Sequence, residues 1–114
     1  MEFSELRHLK LSDALGAIPN ADGQLFANLF RHGSLQMEIY VPRGEDLQQP
    51  HTRDEIYVVA SGSGQFINGD KRIAFTTGDV LFAAAGEVHK FSDFTTDFAV
   101  WVIFYGPEGG ERGR

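Results

Sequence analysis

The chain of 114 residues contains no cysteine, and this absence excludes several kinds of chemistry at once. Disulfide bonds, thiolate metal sites and a cysteine nucleophile all require a thiol. Long hydrophobic runs are also missing, because the apolar run at residues 98–105 is far shorter than the roughly 20 residues that a membrane-spanning helix needs. The N-terminus carries acidic residues rather than the apolar stretch of a secretory signal. We therefore expect a cytoplasmic protein with no membrane partner.

Basic residues are too few and too dispersed for a nucleic-acid surface. Ten Lys and Arg stand against sixteen Asp and Glu, and the formal net charge is −6. Binding to a phosphate backbone requires a cluster of cations that displaces counterions, and the sequence has none. We expect no nucleic-acid partner, and the length favours one compact domain.

Eight short segments rich in Val, Ile, Phe and Tyr predict an all-β domain. Turn signals such as Asn68-Gly69 separate them, and many short strands with regular turns are typical of a sandwich or a small barrel. The predicted strands cover residues 24–31, 35–42, 54–61, 64–68, 70–76, 79–84, 89–93 and 97–105.

The remaining residues form the two ends of the chain. Residues 1–23 are predicted to be an N-terminal segment that packs on the barrel of residues 24–105 or on a dimer partner. Ser12 favours the N-cap of a short helix that continues to Ala17. Residues 106–114 are Gly-rich and charged, which predicts a flexible tail.

Three runs in the predicted strands are apolar at both parities rather than at alternate positions: residues 56–60, 80–85 and 98–105. A sheet with one wet face would alternate apolar and polar residues, so these strands need cover on both faces. One face fills the barrel, and we expect a homodimer to cover the other. The N-terminal segment alone is the alternative cover.

His51 and Glu55 introduce the candidate site. Side chains alternate across a strand, so Gln49, His51 and Glu55 point to one face if this stretch is extended. His89 opens a later strand. Two imidazoles and one carboxylate that converge make a facial triad for a divalent ion. Spacing leaves open that these are a surface histidine, a solvated glutamate and a loop histidine bonded to the backbone.

The pattern as a whole resembles the cupin superfamily, in particular its small single-domain members. The first cupin motif is matched by Gly44, His51, Glu55 and Gly62, with Gln49 where the first His is usual and one residue fewer after Gly44. The second motif is matched by Gly78, Gly86 and His89, with Ala84 for the usual Pro and Asp93 for the usual Asn. The resemblance implies a double-stranded β-helix, that is, a jelly-roll barrel.

The resemblance also implies a metal site made of Gln49, His51, Glu55 and His89 that holds one divalent ion (Fe, Mn, Ni, Co, Cu or Zn). Gln49 is interpreted as a weak fourth ligand, as a residue behind the ligands, or as a mark of a decayed site. The implied function is an enzyme of dioxygenase, isomerase or lyase type that acts on a small organic molecule. Glu55 and Tyr57 are the candidate catalytic residues, Glu55 as a base and Tyr57 because its hydroxyl is expected near the metal end of the cavity, where it could orient a bound ligand. The alternative is a non-catalytic small-ligand-binding or sensing protein.

Strand parity predicts the walls of the cavity. Tyr57 and Val59 follow Glu55 on one face, and Phe91 follows His89 in the same way. Met37 and Ile39 are expected to face inward because they are apolar, and Phe82, Trp101 and Ile103 are further candidates. These residues together predict a largely apolar, aromatic cavity.

Overall fold

The computed structural model describes residues 8–112, which contain one short helix and eight strands. The helix α1 spans Leu11–Leu15. The strands are β1 (Phe26–His32), β2 (Leu35–Tyr40), β3 (Asp54–Ser61), β4 (Ser63–Asn68), β5 (Lys71–Thr76), β6 (Val80–Ala83), β7 (His89–Ser92) and β8 (Ala99–Tyr105). All eight predicted strands are present, each within two residues of its predicted ends. No helix in this part of the chain is long and apolar enough to cross a membrane.

The strands form two antiparallel sheets, and the predicted jelly-roll fold is confirmed. One sheet has five strands in the order β1-β2-β8-β3-β6, and the other has three in the order β5-β4-β7. Their facing sides bury one aromatic core, in which the ring of Tyr57 meets the ring of Phe91 edge to face at 4.9 Å. Edge-to-face contact is the favoured geometry for such rings, so the core holds the sheets together specifically.

The register of the larger sheet arranges its inner face in three rows. The row nearest the open end contains Gln36, Phe104, Glu55 and Ala83, in the order of the strands β2, β8, β3 and β6. The middle row contains Glu38, Val102, Tyr57 and Leu81, and the deepest contains Tyr40, Val100 and Val59. The first two rows line the cavity except at Ala83 and Leu81, which belong to the closed core together with Val100 and Val59. Tyr40 of the deepest row also lines the cavity.

The prediction that Met37 and Ile39 face inward is wrong. Gln36, Glu38 and Tyr40 line the cavity, so their neighbours on β2 point to the other face of the sheet. Ile39 is fully buried there, beneath apolar residues of the N-terminal segment, namely Leu9, Leu11, Ala14, Ala17 and Ile18. The outer face is apolar because protein covers it, and apolarity alone therefore did not identify the interior.

The same error affects the further wall candidates. Trp101 packs against the outer cluster around Ile39, and Ile103 shares its parity on β8. Phe82 is 50% exposed and does not line the cavity. Tyr57, Val59 and Phe91 do lie inside, as predicted.

Both ends of the described chain differ in detail from expectation. The helix α1 begins at Leu11, and Lys10 holds its N-cap position without a side-chain hydrogen bond, so the predicted cap at Ser12 is wrong. In the predicted flexible tail, the backbone N–H of Gly109 donates to Thr52 and that of Glu111 donates to the Asp54 carboxylate. The mobility of residues 106–112 stays a prediction, and residues 1–7 and 113–114 lie outside the described range.

Candidate metal centre

The candidate site lies where the two sheets meet at the open end of the sandwich. Glu55 and Tyr57 point inward from β3 of the larger sheet, and His89 is the first residue of β7 in the smaller sheet. His51 comes from the loop that precedes β3. The fold therefore brings together residues that are 34 positions apart in the sequence from Glu55 to His89.

The carboxylate of Glu55 lies between the two imidazoles. Its Oε1 is 3.0 Å from Nδ1 of His51 and 2.9 Å from Nε2 of His89. One donor atom from each of the three residues lies within 4.8 Å of the other two. The side chains of Glu55 and His89 are each 1% exposed, whereas that of His51 is 39% exposed. The group is thus buried on its β3 and β7 sides and accessible from the side of His51.

The backbone determines which nitrogen of His89 is available. Nδ1 lies 2.8 Å from the carbonyl oxygen of Glu87, which can only accept a hydrogen bond, so Nδ1 carries a hydrogen. In the neutral ring Nε2 then has a free lone pair. Metal-binding histidines commonly have this arrangement, with the distant nitrogen donating to a carbonyl.

The charges of the site stabilise one another. Burial opposes the charged form of Glu55, but the hydrogen bonds with His51 and His89 outweigh it and lower the pKa of the carboxyl group. Burial likewise opposes protonation of His89, but its bonds with Glu55 and the Glu87 carbonyl raise the pKa of the imidazole. In the absence of a metal, the site therefore favours a carboxylate beside an imidazolium.

The donor set fits a divalent metal ion. The second carboxylate oxygen of Glu55, Oε2, is buried and has no hydrogen-bond partner within residues 8–112. A buried carboxylate oxygen without a partner is costly, and a cation would compensate it. Two imidazoles and a carboxylate suit several first-row ions, and this chemistry does not select among them.

Tyr57 is the fourth side chain at this centre. Its hydroxyl lies 2.8 Å from Nε2 of His89 and 3.1 Å from Oε1 of Gln48. Burial, followed by the charge of Glu55, raises the pKa of the phenol well above its ordinary range. The hydroxyl therefore remains protonated and donates a hydrogen bond within the site at every physiological pH.

Gln48 and Asp46 are site residues that the sequence did not reveal. Gln48 Nε2 donates to Asp46 Oδ2 at 2.6 Å, and the buried Asp46 carboxylate also accepts from Tyr40 Oη and from the backbone N–H of Phe91. Asp46 thus ties the loop before β3 to both sheets. The alternation of side chains along a strand pointed to Gln49 as a site residue. Residues 47–51 are not a strand, so this alternation does not apply to them.

Gln49 itself lines the cavity with an exposed side chain. Within residues 8–112 no hydrogen bond joins it to His51, Glu55 or His89. Its predicted role as a ligand stays a prediction.

Most of the surface that lines the cavity above the site is apolar, as predicted. It has a volume of about 790 Å³. Val102 and Phe104 form an apolar floor, but most other lining side chains bear hydrogen-bonding groups, among them Gln24, Arg31, Gln36, Glu38, Tyr40, Gln48, Gln49, Thr52 and Arg53. Of the predicted wall residues, Tyr57 lines the cavity, whereas Val59 and Phe91 lie in the closed core.

Comparisons with known proteins agree with this architecture. Residues 36–105 match the family model described as a cupin domain. The uncharacterized protein SCO3923 of Streptomyces coelicolor is 31% identical over 98 residues, which cover 84% of this chain and 93% of that protein. The curated relative thus carries no assigned activity.

Solved structures extend the likeness of the fold. A conserved protein with a double-stranded β-helix domain from Klebsiella pneumoniae superposes with a TM-score of 0.71 at 16% identity, over 89% of this chain and 90% of that one. A predicted oxalate decarboxylase from Thermotoga maritima superposes with a TM-score of 0.56 at 23% identity, over 70% and 77% of the two chains.

Proposed function

The chain belongs to the cupin family, and from this premise we propose that it is a metal-dependent enzyme that acts on a small organic molecule. The observation that carries the proposal is the convergence of His51, Glu55 and His89 at the base of an open cavity. A buried cluster of metal-ligating groups beside an accessible cavity is a common arrangement of an active site. Reactions of dioxygenase, isomerase and lyase type are all compatible with it.

His51, Glu55 and His89 are the residues that would hold the ion. When bound, a divalent ion polarises a ligand oxygen and stabilises negative charge that develops on it. The chain's own contribution is preorganisation. The Glu87 carbonyl orients His89, and Gln48 and His89 together orient the hydroxyl of Tyr57.

Glu55 and Tyr57 are proposed to have different catalytic roles. Tyr57 keeps its proton and is suited to donate a hydrogen bond to a bound oxygen atom. Glu55 is ionised, and its Oε2 has no partner in the described chain, so this carboxylate is suited to accept a proton or to bind the ion. Gln49 is proposed to lie at the rim of the same site, where it either binds the metal ion weakly or supports the residues that bind it.

Elemental analysis of purified protein tests the proposal. We expect about one divalent ion per chain after loading with Zn²⁺ and dialysis, and loss of that ion in His51→Ala and His89→Ala. His32→Ala is the matched control, because His32 is exposed at the end of β1 and is not among the residues that line the cavity. A wild-type protein that cannot be loaded would reject the enzyme proposal and favour a non-catalytic ligand-binding protein.

We further propose that the protein forms a homodimer through the part of the outer face that the N-terminal segment leaves uncovered. Val80 is 65% exposed and Phe82 is 50% exposed on β6, and they pair in register with Val58 and Ile56 of β3, which are half-buried. These four residues form a continuous apolar surface on two adjacent strands, as expected for a subunit contact.

Light scattering coupled to gel filtration tests the dimer. Wild-type protein should elute as a dimer, and Phe82→Glu should elute as a monomer. Val88→Glu is the control, since Val88 is equally apolar and 71% exposed but precedes β7 in the other sheet. A monomeric wild-type protein at micromolar concentration would reject the proposal.

A further inference from the structure

Glu38 is a half-buried acidic side chain of the cavity, and none of the hydrogen bonds at the metal centre involves it. It points inward from the middle of β2 and is half-buried. It lies in the same row of the sheet as Tyr57, with Val102 of β8 between them. Charged side chains are seldom placed in such surroundings without a partner or a function.

Gln36, which is itself held by Asn28, orients the Glu38 carboxylate. Nε2 of Gln36 donates to Glu38 Oε2 at 2.8 Å and to Asn28 Oδ1 at 2.6 Å. An amide nitrogen has two hydrogens, so both are engaged and the Gln36 side chain is constrained. Within residues 8–112 no hydrogen-bond donor contacts the other oxygen, Oε1, although the residue lines the cavity. This oxygen is therefore available to a ligand.

The order of the strands gives the approximate separation between the backbones that carry Glu38 and Glu55. Glu38 is on β2 and Glu55 is on β3, with β8 between them. Adjacent strands are about 4.8 Å apart, so the two backbones are roughly 10 Å apart across the cavity floor. Val102 and Phe104 form that floor. A ligand that reached both carboxylates would place an apolar middle on these two side chains.

As a deepening of the metal-dependent function proposed above, we propose that Glu38 recognises a hydroxyl group at the end of the ligand remote from the metal centre. The ligand class is a short hydroxylated carboxylic acid. Its carboxylate would bind the divalent ion that His51, Glu55 and His89 would hold, and its hydroxyl donates to Oε1 of Glu38. Gln36 is the positioning residue, because it orients the carboxylate without contacting the ligand.

Three five-carbon acids that differ only at the distal end test this assignment. They are pentanoate, 5-hydroxypentanoate and glutarate, which end in a methyl, a hydroxyl and a carboxylate group. Calorimetric titration into Zn²⁺-loaded protein at pH 8 should show 5-hydroxypentanoate binding about tenfold more tightly than pentanoate, since a hydrogen bond to a charged group is worth this much. Glutarate should bind most weakly, because its second carboxylate meets that of Glu38.

Substitutions at Glu38 separate recognition from metal binding. Glu38→Leu should abolish the preference for the hydroxyl and keep the zinc content of the wild type. Glu38→Gln should strengthen glutarate binding, because an amide can donate to the carboxylate. Glu45→Gln is the control, since Glu45 also lines the cavity but is exposed at its edge, and it should leave the order of the three acids unchanged.

The outcomes are distinct. Failure of wild-type protein to hold zinc would overturn both the proposed function and this assignment. If zinc binds but 5-hydroxypentanoate shows no preference over pentanoate, or none of the acids binds, the role of Glu38 is rejected and the metal site stands. Loss of zinc in Glu38→Leu would also reject it, since Glu38 would then act as a ligand to the metal.

Discussion

The two faces of β2 show opposite relations between polarity and burial. Outward, Met37 and Ile39 are apolar, and Ile39 is completely covered by the N-terminal segment. Inward, Gln36, Glu38 and Tyr40 are polar and line the cavity. The inner polar groups are tolerated because they are bonded, as Tyr40 is to Asp46 and Glu38 is to Gln36. In this protein the apolar face contributes packing, and the polar face contributes the site.

The largest expected effect comes from the packed face. Ile39→Ala should lower the free energy of unfolding by about 2–5 kcal/mol, because it leaves a cavity beneath the N-terminal segment. Met37→Ala should cost less, since Met37 is only half-buried. Urea denaturation of the metal-free protein measures both. If Ile39→Ala instead kept its stability and lost zinc, the division between the two faces would be wrong.

Removal of the Tyr57 hydroxyl tests how much the buried polar contacts of the site contribute to stability. Tyr57→Phe should cost about 1–3 kcal/mol, because it leaves Gln48 Oε1 and His89 without that buried partner. Tyr105→Phe is a suitable control, as its hydroxyl makes no hydrogen bond within residues 8–112. Equal losses in the two variants would show that the Tyr57 contacts do not stabilise the site.

The free energy of unfolding should also depend on pH through the ionisation of Glu55 and His89, and this effect should be smaller than the loss expected for Tyr57→Phe. The raised pKa of His89 stabilises the metal-free fold fully below the unfolded value of about 6.5, and this contribution is lost as pH rises through the folded pKa. The lowered pKa of Glu55 contributes above about 4.3 and is lost as pH falls through its folded value. The pair should therefore contribute most between these two values.

Denaturation of metal-free wild type and Glu55→Gln from pH 4 to pH 9 measures this contribution. The wild type should lose its advantage over the variant as the solution becomes more alkaline than the folded pKa of His89. Parallel pH profiles for the two proteins would contradict the pairing of these groups.

The smallest effect is expected at the polar face itself. Glu38→Gln should change the free energy of unfolding by no more than about 0.5 kcal/mol, since glutamine has nearly the same volume and its amide oxygen can still accept from Gln36. Burial raises the pKa of Glu38, so the neutral amide also resembles the form that burial favours. A loss comparable to that of Ile39→Ala would show that Glu38 belongs to the core rather than to a binding site.

The sequence predicted the three residues that converge, because all three match the cupin motifs and Glu55 and His89 lie on strands. His51, Glu55 and His89 meet as expected. It did not reveal Gln48 or Asp46, because both lie in the loop before β3, where alternation gives no direction. Glu38 was missed for a different reason. Its strand alternates clearly, but the rule that the apolar side faces inward assigned it to the wrong face.

Strand number, turn positions and the candidate ligands follow from local patterns, since alternation and turn chemistry act over a few residues at a time. Tertiary structure alone decided which face of β2 turns toward the cavity, because that depends on where residues 9–18 pack. It also decided which glutamine reaches Tyr57 and which groups orient His89. The contacts of Tyr57 with His89 and of Asp46 with the backbone of Phe91 join positions 32 and 45 residues apart, and only packing of the two sheets brings these groups within bonding distance.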